Sequence, residues 1–385
     1  MAYNNASDYL IAGNDEHGVL PPTFGKRTPV MPYINRAIYE NEFNYMAKNY
    51  FLADCLRVGF YILDVKPNRQ DLSVSSRVVI VNNANPTLVL TFGYNAYGDG
   101  TTFNSAAGTE AYYSTTNTYA TQSKALATAV YNAVISATGR RGRGVSTLDI
   151  GMLSSVKVRS ALLEPGFMTN FTEAKLMIDP DYQATVGRAS CKGVCNYLNV
   201  QYIPIEQDTF TTIQKGSSGR LVRYLQFLLK INGYSVGTVD GQFGTNTQNA
   251  VIAFQQANNL TADGVVGPKT WTALNNLNPE KKVLKKGSIG TPVEYLQRKL
   301  YSKLYDVGTI DGIFGTNTEN AVKEFQTENN LTVDGVVGPK TWTALQDDST
   351  GRQLTSTSNL KEPKIFNFIK NLQNFSKGVI DKDKE

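Results

Sequence analysis

The chain has 385 residues, 41% hydrophobic and 18% charged, the make-up of an ordinary folded protein with room for two or three domains. Its 38 basic and 33 acidic residues leave a formal charge of +5 without any basic run or aromatic–basic stripe, so nucleic acid is not indicated as a partner. A mildly cationic surface suits an anionic polymer. Three cysteines are too few, and odd in number, for a disulfide framework. No stretch approaches the ~18 apolar residues of a transmembrane helix. The opening MAYNNASDYLIAG lacks the basic start and long apolar core of a secretory leader.

From Asp8 to about Val200, apolar β-like runs alternate with helical stretches. Strands are predicted at 8–13, 59–67, 87–92, 108–114 and 160–167, and helices at 40–59, 72–85, 123–139 and 181–200. Interleaving of this kind implies an α/β fold, a mixed or parallel sheet sandwiched by helices. Such sheets gather sites at the C-terminal ends of their strands. His17, the only histidine, follows one such end, and Gly93 and Glu164 follow two others. Cys191 and Cys195 share a face of the last helix at i, i+4. That spacing is too open for a relaxed disulfide and has no nearby histidine for zinc, so both read as packing residues.

The C-terminal part is a tandem repeat. TVDGQFGTNTQNAVIAFQQANNLTADGVVGPKTWTAL at 238–274 matches TIDGIFGTNTENAVKEFQTENNLTVDGVVGPKTWTAL at 309–345, and Trp271 maps onto Trp342. Upstream of the first, Leu221, Tyr224, Leu225 and Leu228 form a helical stripe. Thr245 or Asn246 is placed to cap the second helix, and Pro268 opens the third. Each unit therefore reads as a three-helix domain whose Asp240, Gly241, Gly264 and Thr270 shape turns and caps.

The pattern D-G-x-F-G-x-x-T-x-x-A-V-x-x-F-Q, then L-x-x-D-G-x-x-G-x-x-T, resembles the peptidoglycan-binding domains found in bacterial and phage wall hydrolases. The N-terminal part has its own resemblance. HGVLPPTFGKRTP, IYENEFNYMAK, RGRGVS and LLEPGFMTNFTEAKLM are similar to the zinc-dependent N-acetylmuramoyl-L-alanine amidases over about 8–200. That resemblance implies a zinc ion on His, Glu and His, with a glutamate acting on the metal-bound water. It places the first ligand at His17, the second at Glu40 and the catalytic carboxylate at Glu164. The third ligand is the departure. In LTFGYNA, Asn95 and Ala96 keep the family's register, and Gly93 stands where the histidine belongs. The family's G-H-G has become Glu16-His17-Gly18. Asp15, Glu16 and Tyr94 are the candidates for a substitute ligand.

Four regions follow: an amidase-like domain at 1–205, peptidoglycan-binding repeats at 210–277 and 281–346, and a linker with an amphipathic tail at 347–385. The tail places Ile365, Phe368, Ile369, Leu372 and Phe375 at helical spacing, so that a helix over 365–380 is a candidate docking element for a partner. Two functional readings stay open. One is a wall-binding protein whose amidase-derived domain has lost zinc and catalysis. The other is an active amidase that uses zinc in an altered site. Both take peptidoglycan as the target. With no leader recognised, both expect delivery by lysis or on a phage-like or spore structure.

Overall fold

The computed structural model describes residues 5–18, 26–275, 283–347 and 349–353. Six strands form one sheet: β1 (Leu10–Asp15), β2 (Tyr61–Asp64), β3 (Leu88–Phe92), β4 (Thr109–Tyr113), β5 (Gly142–Thr147) and β6 (Arg159–Glu164). Their order is β2-β1-β3-β6-β4-β5, and every neighbouring pair is parallel except β4 with β6. The sheet is thus mixed, as the sequence predicts. All five residues of β3 are buried, and β6 buries Ser160 to Leu163. Continuous apolar runs are what a parallel strand needs when both faces are covered. The sequence reading missed β5 because GRGVST lies at the sheet edge, largely exposed, and carries no apolar pattern.

Helices cover both faces. They are α1 (Glu40–Val58), α2 (Val74–Ala84), α3 (Ala120–Thr138), α4 (Gly151–Ser154), α5 (Phe171–Leu176) and α6 (Pro180–Leu198). Successive strand residues point to opposite faces. Ile11, Leu88, Leu90 and Phe92 accordingly join the large core with residues of α1, α3 and α6. Ala12 and Val89 join a small one with Val81 of α2 and Met152 of α4. All three cysteines are free and buried, with the Sγ atoms of Cys55 and Cys191 3.7 Å apart, in keeping with a packing role. The sequence reading did not foresee α4 or α5, which are only 4 and 6 residues long.

The two repeats are built alike. Helices α7 (Arg220–Ile231), α8 (Thr245–Ala257) and α9 (Pro268–Asn275) recur as α10 (Thr291–Ser302), α11 (Thr316–Glu328) and α12 (Pro339–Gln346). Of the predicted stripe, Tyr224, Leu225 and Leu228 are buried and Leu221 is half-buried. One correction concerns the cap of α8. Gly244 occupies that position and no side chain caps the helix; Thr247, further in, turns to the core instead.

Its partner there is Gln226, whose amide donates to Asp240 Oδ1 (2.9 Å), Gln242 O (3.0 Å) and Thr247 Oγ1 (3.1 Å) and accepts from Gly241 N (2.8 Å). The same Gln–Asp–Gly–Thr knot recurs at Gln255, Gln297 and Gln326. Gly241 sits at φ 79° and Gly264 at φ 72°, the left-handed region where a side chain is strained. The turn residues that the two repeats share are therefore accounted for by folding.

Both repeats dock on the α/β part. Arg220 in α7 donates to Arg57 O in α1. Lys299 in α10 reaches Asp179 and Asp181 at the start of α6. The proposed tail helix and most of the joint between the repeats lie outside the described residues.

Candidate metal centre

The site is assembled at the C-terminal ends of β1, β3 and β6, with the first turn of α1 closing over them. Glu40 is the first residue of α1 and is 1% exposed. Its Oε1 accepts hydrogen bonds from Tyr94 N (2.8 Å) and Asn44 Nδ2 (2.9 Å). Among the described residues its Oε2 has no hydrogen-bond partner, and it lies 3.6 Å from His17 Nε2. A carboxylate held by one oxygen, with the other bare and buried, is poised for a cation, because an unpaired buried acceptor is otherwise costly.

His17 is held by its backbone. Asn41 Nδ2 donates to His17 O (2.8 Å) and to Asp15 Oδ2 (2.7 Å). The residue has φ 55°, a left-handed conformation in which histidine is one of the more tolerated side chains. Glu42, two residues beyond Glu40, takes no part in the site. It caps α1 through Tyr39 N (2.9 Å) and pairs with Arg36 (2.6 Å).

Gly93 is not beside an empty space. A Cβ added there would lie 3.0 Å from Glu16 Oε2, 3.3 Å from Leu162 Cδ1 and 3.4 Å from Glu164 Cγ. The Glu16 carboxylate and the Glu164 side chain thus both border the space over Gly93. Donor atoms of Glu16, His17 and Glu40 all lie within 4.8 Å of one another. The four residues singled out in the sequence, His17, Glu40, Gly93 and Glu164, are brought together. Glu16, weighed there only as a substitute, is a full member of the cluster.

Glu164 ends β6, and the segment after it is pinned by Glu173. That carboxylate accepts from Phe167 N (2.8 Å) and Gly108 N (3.1 Å) and pairs with Arg140 (2.9 Å). Asn170 caps α5 by accepting from Glu173 N (3.1 Å). The Asn and Glu of MTNFTEA therefore position the chain after Glu164 rather than face the cluster. The sequence reading gave no role to Asn41, Asn44 or Glu173. The E-N-x-x-N spacing on α1 was the available signal for the first two.

The electrostatics are those of an anionic crowd. Burial, then the Glu40 charge, pushes Glu16 up to about 7 against the opposing pull of His17, Lys26 and Arg77. Burial pushes Glu40 up to about 7, although hydrogen bonds from Asn44 and Tyr94 act the other way. Burial, with the charges of Glu16 and Glu40, pushes Glu164 up to about 8. His17 is lowered, first by burial, which keeps its imidazole neutral and able to donate a lone pair. Close carboxylates and a neutral imidazole around one bare oxygen fit a divalent cation, which relieves their mutual repulsion. A cleft of about 230 Å³ adjoins the cluster, lined by Glu16, His17, Asp71, Arg77, Ile150 and Met152 among others.

Residues 24–196 match the N-acetylmuramoyl-L-alanine amidase family, and 218–274 and 290–345 each match the peptidoglycan binding domain family. The first match begins after His17. A probable N-acetylmuramoyl-L-alanine amidase of Bacillus licheniformis is 34% identical over 136 residues, covering 30% of this chain and 38% of that protein. The amidase CwlL of the same organism is 33% identical over 153 residues, 33% of this chain and 42% of its own length. The matches thus span about two fifths of these curated relatives. A solved N-acetylmuramoyl-L-alanine amidase structure from Clostridium difficile 630 covers 50% of this chain and 97% of its own, at 24% identity and TM-score 0.44.

Proposed function

Because the chain carries an N-terminal domain of the N-acetylmuramoyl-L-alanine amidase family followed by two peptidoglycan-binding domains, we propose that it is a metal-dependent peptidoglycan amidase. It cleaves the amide between the muramic acid lactyl group and L-alanine of the stem peptide. The observation that carries this reading is the bare, buried Glu40 Oε2 facing His17 within a cluster of carboxylates.

His17 and Glu40 are the ligands that the resemblance carries over to this chain, and zinc is the metal that it implies. When bound, zinc supplies Lewis acidity for the amide carbonyl and lowers the pKa of water. Glu164 is the general base. Its carboxylate takes the proton of the attacking water and delivers it to the departing amine nitrogen of L-alanine. Tyr94 N and Asn44 fix the Glu40 carboxylate, and Asn41 holds the His17 backbone through its carbonyl. The cleft beside the cluster takes the stem peptide. The two repeats hold the enzyme on the polymer, where tethering raises the effective concentration of each weak contact.

Gly93 supports a second reading, that of a wall-binding protein without catalysis, since glycine offers no ligand at the third position. Incubation of the zinc-loaded full chain with purified peptidoglycan separates the two. Hydrolysis produces new L-alanine amino groups with no new reducing sugar ends. Zinc-loaded protein that pulls down with the wall but releases no amine establishes the binding-only reading.

A further inference from the structure

We infer that Glu16 is the third metal ligand, and that Gly93 is the residue that makes room for it. The inference rests on the reading that this cluster holds a cation, and it says which atoms do so.

The first argument is elimination among the three side chains that could substitute. Asp15 is fully buried and spent, with its carboxylate 2.9 Å from Lys48 Nζ, 2.7 Å from Lys66 Nζ and 2.7 Å from Asn41 Nδ2. Tyr94 turns its hydroxyl away and donates it to Glu173 O at 2.8 Å. Glu16 alone brings a donor atom into the group with His17 and Glu40.

The second argument is space. β1 pairs with β3 in parallel, with Asp15 opposite Phe92, and Glu16 N continues that ladder by donating to Phe92 O (2.9 Å). Glu16 therefore reaches across the strand ends beside Gly93. Any Cβ at position 93 would come to 3.0 Å from Glu16 Oε2, tighter than ordinary contact. A side chain at 93 would press on the Glu16 carboxylate, which would have to shift by a few tenths of an ångström to admit it. The pair reads as an exchange, with the donor moved from β3 to the end of β1 and the vacated position reduced to glycine.

The consequence is a donor set of one imidazole and two carboxylates. It carries one more negative charge than a two-imidazole, one-carboxylate set, and it is harder in character. Such a site retains zinc while discriminating less sharply against manganese.

The test is zinc and manganese titration of the metal-stripped full chain, by calorimetry and by elemental analysis after gel filtration. The parent is expected to hold one zinc per chain. Glu16→Gln keeps the shape but loses the charge and should weaken zinc by at least about 10–100-fold, the scale already seen when only supporting residues of a metal site are lost. The double variant Glu16→Gly with Gly93→His should regain most of that loss and should favour zinc over manganese more strongly than the parent does. Thermal unfolding in chelator checks that each variant folds, and the double variant carries the test if Glu16→Gln does not.

A parent that binds no zinc, or a folded Glu16→Gln protein that binds zinc as tightly as the parent, overturns the inference. Wall hydrolysis is scored separately. Zinc held through Glu16 without release of L-alanine amines overturns the amidase reading alone. Hydrolysis with zinc affinity unchanged in Glu16→Gln overturns the ligand assignment alone.

Discussion

Lys299, in the second repeat, lies 2.7 Å from Asp179 at the start of α6, and both side chains are largely buried. Asp179 uses its other oxygen to cap α6, accepting from Asp181 N (2.9 Å) and Tyr182 N (3.1 Å). Tyr295 adds a hydroxyl to Asp181 (2.9 Å). The repeat is thus fastened to a helix terminus of the α/β domain by a charge pair rather than by apolar contact alone. Removing one partner of a buried pair strands the other. Lys299→Met should therefore cost about 3 kcal/mol and release the repeat before the rest unfolds. Denaturant unfolding with limited proteolysis reads this out. A midpoint and cleavage pattern identical to the parent's would show that the pair is not a fastening.

The Gln knots predict where the repeats are fragile. Gln226 is 1% exposed, and its single amide serves four partners. Gln226→Ala leaves Gly241 N and Thr247 unpaired in the interior, at a cost of about 2–3 kcal/mol. Thermal unfolding should show the loss. Gln226→Glu is expected to fare no better, since it places a second carboxylate against Asp240.

Catalysis, on the proposed mechanism, separates from metal binding at Glu164. Glu164→Gln should lower amine release from peptidoglycan by about 10²–10⁴-fold, the usual worth of a positioned acid–base group. Zinc content should stay at one per chain. Loss of zinc in this variant would make Glu164 a ligand instead of a base.

The carboxylate cluster also sets a pH dependence for the metal-free protein. Burial above all pushes Glu16, Glu40 and Glu164 up to about 7, 7 and 8 in the folded chain, from 4.5 as the ordinary value. Their folded pKa values are raised, so the folded chain binds more protons than the unfolded one. Their stabilising contribution is complete below about pH 4.5 and is lost as pH rises through 7 to 8. In chelator, the melting temperature should therefore fall over that window more steeply for the parent than for Glu164→Gln, and zinc should flatten the slope. Equal slopes for the two chelated proteins would contradict the repulsion described above.

Much of the fold was legible because its signals are local. The strands around Leu10, Leu88 and Ala161 show as short apolar runs, and the helices show as longer periodic stretches. The repeats are the clearest case, since an Asp-Gly turn followed by Thr, with Gln on the preceding helix, encodes each knot within about thirty residues of chain. The edge strand β5 stayed hidden because an exposed strand needs no apolar alternation. The cap of α8 was misplaced because Thr247 serves the Gln226 knot inside the domain, and the helix starts from Gly244 without a side-chain cap.

The site divides along the same line. The sequence alone determined which residues stand at the strand ends, that His17 has no second histidine to join, and that position 93 has no side chain. It could not determine that Glu16 fills the space at Gly93. Seventy-six residues separate them, and they become neighbours only because β1 and β3 pair in parallel with Asp15 opposite Phe92. Nor could it show that Asp15 lies between the charges of Lys48 and Lys66 while Glu40 Oε2 faces His17. Strand register and the packing of α1 over the sheet decide which carboxylates are neutralised and which are left facing the imidazole, because charges interact through space and not along the chain.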